Sequence, residues 1–162
     1  MVLVVGLLLA IAVPRLPSFG ATDLEASAER LASTMTWMAD EASLRGRLYR
    51  LTLDLDTERW EVAAVAPWAA TAAGAAGETA FVEDTEDPMA RTIALPDGIF
   101  FESVTGAEGE ERFGRRAVFF LPEGSDESLS IVLGESEGAR ALVFFDAARG
   151  VARVQEMEVT GP

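Results

Sequence analysis

Apolar positions along this chain follow three successive patterns. From Met1 to Val13 there is no alternation, and the thirteen residues carry neither charge nor a polar side chain. From Leu24 the apolar residues fall at Leu24, Ala28, Leu31, Met35, Met38 and Ala42, in steps of 4, 3, 4, 3 and 4. That spacing is one stripe of an α-helix. Thr22-Asp-Leu-Glu25 has the spacing of a capping box, Arg45 suits the negative end of the helix dipole, and Gly46 suits the residue just past it. The pattern predicts an amphipathic helix over Thr22–Arg45. From Leu48 the period becomes two. Tyr49, Leu51, Leu53 and Leu55 share one face, while Arg50, Thr52 and Asp54 share the other, as in a half-buried strand.

Asp56-Thr-Glu-Arg59 then reads as a turn and Trp60–Val65 as the return strand of a hairpin. Residues 67–88 are first small, then mostly acidic, and predict a long loop. The second half alternates short apolar strands with glycine-rich connectors. The strands are Arg91–Leu95, Ile99–Val104, Ala117–Leu121, Leu129–Leu133, Ala141–Asp146 and Val151–Val159. A long N-terminal helix followed only by strands predicts an α+β fold, with the helix laid on antiparallel sheets. Pro14, Pro17 and Gly20 predict a kink or short break before that helix. The expected organisation is an apolar helix at 1–16, an amphipathic helix at 17–46 and a β-rich domain at 47–162. There is no internal repeat.

The apolar head is the wrong length for a complete span. A helix needs roughly 20 apolar residues to cross about 30 Å of hydrocarbon, and thirteen residues rise only about 20 Å. It reads as a signal-type segment or as part of a longer membrane helix. The remainder is acidic, with 27 Asp and Glu against 13 basic residues, all Arg, for a formal charge of −14. That balance disfavours neutralising nucleic-acid phosphates and holding anionic lipid, and suits an exported soluble domain. Arg45, Arg47 and Arg50 form a local basic group, which reads as a solvated face.

Chemistry is narrowed further by two absences. The chain has no Cys and no His, so it has no thiolate nucleophile, no Ser-His-Asp triad and none of the commonest zinc ligands. Asp54-x-Asp56-x-Glu58 spaces its oxygens like the start of a calcium loop but lacks the glycine and bidentate Glu that complete one. It reads as a strand end and turn, and Asp84, Glu86 and Asp87 read as a second acidic loop. Of the three tryptophans, Trp37 lies off the main stripe and covers the first strand. Trp60 opens the return strand and is buried. Trp68, in the small-residue loop, is the candidate for partner contact.

The glycine-containing apolar segment ending in Ile11-Ala-Val-Pro-Arg-Leu16 resembles the N-terminal helix of type IV pilins and pseudopilins. The passage Arg30–Asp54, centred on Asp40-Glu-Ala-x-x-Arg-Gly46 and the alternating strand after it, is similar to the H-type minor pseudopilins of type II secretion systems. Val118-Phe-Phe-Leu-Pro-Glu-Gly124 and Val143-Phe-Phe-Asp-Ala-Ala-Arg-Gly-Val-Ala-Arg153 resemble the closing strands of that family. The resemblance implies a pilin-like fold, a structural rather than catalytic role, and no cofactor or metal. It implies that Val2, Leu3, Val5, Gly6, Leu9, Ile11, Val13 and Pro14 belong to the helix that sits in the inner membrane and later in the filament. It further implies a single-pass protein with a periplasmic domain. Its partners would be other minor and major pseudopilins, the inner-membrane secretion platform and a secreted protein substrate, with no nucleic acid. The basic leader, the peptidase site, the N-methylated Phe and the nearby Glu of the family are not found. Aligned on Gly6 and Pro14, about eight residues and the leader are missing, enough to restore a full span, so the expectation is a true start upstream of Met1. Two alternatives remain: a minor pilin of a type IV pilus, and a secreted domain whose signal peptide is cut after Ala10-Ile-Ala12.

Overall fold

The computed structural model describes residues 19–65, 81–82 and 89–157. It consists of helix α1 (Phe19–Arg45) followed by eleven strands: β1 (Tyr49–Asp54), β2 (Arg59–Val65), β3 (Phe81–Val82), β4 (Ile93–Ala94), β5 (Ile99–Gly106), β6 (Gly109–Glu111), β7 (Arg115–Leu121), β8 (Gly124–Ser125), β9 (Leu129–Glu135), β10 (Arg140–Asp146) and β11 (Val151–Met157). They form two antiparallel sheets. Sheet A has the order β3-β2-β1-β7-β8, with β4 also paired to β2, and sheet B has the order β11-β10-β9-β5-β6. This is the α+β arrangement that the helix-then-strands pattern predicts.

The helix forms where the 3.6-residue stripe lies, because that stripe is what the sheets cover. Leu24, Ala28, Leu31, Met35, Met38 and Ala42 are all buried, and the helix runs against β10 and β11 with further contacts to β7, β8, β9 and β1. It ends as expected. Gly46 takes φ +62°, and the Arg47 N–H donates to the Ala42 carbonyl at 3.3 Å, the reach-back bond of a Schellman cap. Its start differs from the capping-box expectation. Phe19 and Gly20 are already helical, so Thr22 is an interior residue rather than a cap, and the break does not fall at Gly20. Pro14 and Pro17 lie outside the described residues.

The predicted β1–β2 hairpin forms, with Leu51 opposite Val62 and Leu53 opposite Trp60. Tyr49, Leu51, Leu53, Leu55 and Trp60 are buried. Trp37 meets the Tyr49 ring edge to face at 5.7 Å, which carries the helix onto the first strand as the sequence suggested. On the inner faces Phe120 of β7 meets Phe145 of β10 at 5.2 Å and 64°, and this aromatic pair ties sheet A to sheet B beneath the helix. Three short strands escaped the pattern. β3 lies in the stretch read as a long loop, while β6 and β8 lie in connectors. At two or three residues each, they are too short to show a period, and they exist because a longer neighbour offers a free edge.

The close approach of helix and sheet is fixed at two points. The outward N–H of Ala152 in β11 donates to Thr36 Oγ1 at 3.0 Å. Gly150, at φ +66°, turns the β10–β11 hairpin where an added Cβ would stand 3.2 Å from Ala39 Cβ. Replacing Phe145 by Ala is expected to cost about 3–5 kcal/mol, because the ring is fully enclosed. Leu44→Ala, at a side chain 81% exposed, should change stability by less than about 0.5 kcal/mol. Urea unfolding of both variants gives the comparison.

Candidate interaction surfaces

The β1–β2 turn shows what the calcium-like spacing is for. Asp54 Oδ1 accepts the Thr57 N–H at 2.9 Å and Asp54 Oδ2 accepts Arg115 Nε at 2.7 Å. Asp56 accepts the Gly114 N–H at 2.9 Å, and Glu58 Oε2 accepts the Phe101 N–H at 2.8 Å. Each carboxylate thus serves a different backbone or guanidinium donor. The strand-end-and-turn expectation holds, and Glu58 itself sits at φ +52°. Its bond to Phe101 reaches sheet B where the β5–β9 register slips between Phe101 and Ser103, a bulge that frees ladder groups for other partners. Among the described residues no group of three acidic side chains is placed to hold a metal ion.

The second polar junction was not foreseen. Arg116 lies on β7 with its side chain only 10% exposed. It binds Glu108 at 3.1 Å, Glu111 at 2.7 Å and Glu127, the shortest of the three contacts. Glu127 Oε2 also accepts the Ala107 N–H at 2.7 Å. The cluster joins sheet A to the β5–β6 hairpin of sheet B. Gly106 is required here for space, since a Cβ would run into the Glu127 carboxylate. The signal in the sequence was parity: Arg116 shares a face with Val118 and Phe120, both buried. Beside the cluster opens a groove of about 480 Å³, lined by Glu108, Glu111, Arg115, Ala117, Phe119 and Asp126 among others.

Electrostatics follow burial and partners. Burial alone would raise Glu127, but the Ala107 N–H and Arg116 outweigh it and hold the carboxyl below the usual range. The Thr57 hydrogen bond, with Arg115, holds Asp54 low against the opposing effect of burial. Burial raises Glu58 and Asp126, against their backbone hydrogen bonds.

A second groove, of about 690 Å³, runs between α1 and β11. Glu29 and Asp40 stand at its rim, and Ala32, Trp37, Ala152 and Val154 line it. The proposed basic group does not form a patch. Arg45 pairs with Glu41, Arg47 donates to the Val65 carbonyl at 3.1 Å, and Arg50 stacks 4.5 Å over the Phe81 ring. Val2, Leu3, Val5, Gly6, Leu9, Ile11, Val13, Pro14, Trp68, Asp84, Glu86 and Asp87 lie outside the described residues. The exposed Phe113, between Arg112 and Gly114, was passed over because it sits in a polar connector.

Comparison with known proteins bears on this arrangement directly. The profile of the family described as type II transport protein GspH matches residues 27–149, which takes in most of α1 and the strands through β10.

The chain belongs to the GspH family.

Two solved structures of the minor pseudopilin EpsH, from the type II secretion system of Vibrio cholerae, share its fold. One has a TM-score of 0.60 at 15% identity, covering 83% of this chain and 97% of that one. The other has a TM-score of 0.58 at 18% identity, covering 83% and 96%. No curated protein sequence matches. The chain is thus a minor pseudopilin of the type II secretion class, as the passage Arg30–Asp54 suggested.

The lowered carboxylates give a pH prediction. Asp54 and Glu127 bind fewer protons in the native than in the unfolded chain under mildly acid conditions. Their stabilisation is therefore complete above the ordinary carboxylate value and is lost as pH falls through the lowered one, between about pH 5 and pH 2. Glu58 and Asp126, being raised, act in the opposite sense and blunt the loss. Glu127→Gln is expected to lower stability at pH 7 and to flatten the acid limb of urea midpoints measured from pH 7 to pH 3. An unchanged acid limb would remove Glu127 from the account.

Proposed function

We propose that this GspH chain acts as a non-catalytic subunit of the pseudopilus, anchored in the inner membrane by its apolar head before assembly. The head, Val2 to Pro14, packs against the equivalent helices of other pseudopilins once the subunit leaves the bilayer, and close-fitting aliphatic surfaces suffice for that. The folded part stands in the periplasm and offers grooves and exposed side chains to neighbouring pseudopilins, to the inner-membrane platform and to the exported protein. Motion is supplied from outside the chain. Trp68 is a contact residue in the same reading.

The observation that carries the proposal is the division of labour along the N-terminal part of the sequence. The buried stripe Leu24–Ala42 is taken up by the chain's own sheets, whereas the apolar run Met1–Val13 precedes it with no polar residue to hold it in water. Among the described residues no helix is long and apolar enough to cross a membrane, so anchoring falls to the head.

Fractionation of cells carrying the native gene tests this. The expected result is a chain that stays in the inner-membrane fraction after carbonate washing, is cut by protease added to spheroplasts, and restores export when supplied to a strain lacking it. A soluble periplasmic chain whose first residue is Val13 would overturn the anchor and favour a cleaved signal peptide.

A further inference from the structure

We propose that Phe113 and the arginines around it form a rigid knuckle that docks into an apolar pocket rimmed by carboxylates on a neighbouring pseudopilin. Phe113 is 80% exposed, although it lies on a short connection rather than a long loop. Isolated surface phenylalanines are common, but the residue that follows this one is held through both its backbone groups. The Gly114 N–H donates to Asp56 Oδ1 at 2.9 Å, and the Gly114 carbonyl accepts the Leu55 N–H at 2.9 Å. The connection is therefore clamped to the β1–β2 turn, and a ring held there loses little freedom on binding.

The surroundings set the chemistry of the partner. Asp54 pairs in register with both Arg59 and Arg115, so the three side chains lie in one row across β2, β1 and β7. Asp54 is 8% exposed and Arg115 73% exposed, which leaves the acid inside and the guanidinium outside. Arg112, next to the ring, is 62% exposed and held by Glu110 at 2.9 Å. Arg112 and Arg115 thus keep solvent-facing guanidinium groups on the two sides of the ring in sequence, each already paired with one carboxylate and each with N–H donors left over, on a chain whose formal charge is −14. Aromatic residues, Phe among them, and arginines are enriched in protein interfaces. An apolar pocket would take the ring, and carboxylates at its rim would meet the unused guanidinium donors in a charge-assisted geometry.

The inference rests on the assembly reading above, and the test separates the two. The full-length chain in detergent micelles is titrated with each other pseudopilin of the same secretion system, likewise full-length. Wild-type chain is expected to bind one of them. Phe113→Ala should weaken that binding by at least about 10-fold, and Arg112→Glu should slow association and reduce its salt sensitivity. Leu44→Ala, which is as exposed but lies at the end of α1, should bind like wild type. Far-UV dichroism and melting of Phe113→Ala should match wild type, since its ring covers little. If wild type binds and Phe113→Ala binds equally well, the knuckle is not the docking element. If wild type binds none of them, the assembly reading fails and the knuckle goes with it. If wild type binds only itself, and Phe113→Ala abolishes this, the partner assignment is overturned in favour of a second copy.

Discussion

The guanidinium of Arg116 sets the relation between the two sheets. It points inward from β7, where Val118 and Phe120 build core, yet it is a permanent cation that must be neutralised where it stands. Glu127 comes from the connector between β8 and β9, and Glu108 and Glu111 come from the β5–β6 hairpin and its turn. Taking such a group out of water is expensive, and the recovered attraction offsets that cost only if the geometry is right. Net stability is therefore not the main outcome. The cluster penalises any arrangement of the sheets in which the carboxylates fail to arrive, because a buried unpaired arginine would remain. The Glu58–Phe101 bond acts similarly at the β5 bulge, with less at stake.

Much of this fold was legible because its long elements bury one face each. The stripe from Leu24 to Ala42 and the alternation from Tyr49 to Leu55 are repeated signals of a single environment, so each residue confirms the next. The helix start was misread because a capping box is only local chemistry. Thr22 and Glu25 have suitable side chains, but Phe19 and Gly20 already continue the helix. The short strands β3, β6 and β8 were invisible because their pairing is decided by a neighbour far along the chain, and two or three residues carry no period.

The interaction surfaces were less legible, for a different reason. Binding places on this chain are made by juxtaposition. The α1–β11 groove needs Trp37 and Val154, more than a hundred positions apart. Asp54, Asp56 and Glu58 looked alike as a spaced acidic run, and only the folded chain distributes them to Arg115, Gly114 and Phe101. Phe113 was visible as an apolar residue among Gly, Glu and Arg, but its exposure follows from the clamp that Asp56 places on Gly114.

The Thr36–Ala152 hydrogen bond has a consequence for polymers. A terminal strand such as β11 ordinarily presents a row of unused amides that invites another chain to extend the sheet, an addition that is hard to reverse. Here the helix stands against that row and its hydroxyl occupies the amide at Ala152. Growth by strand exchange is blocked at that point. A contact made through that edge of the subunit must then use side chains, and it can form and break without adding to or unravelling sheet B.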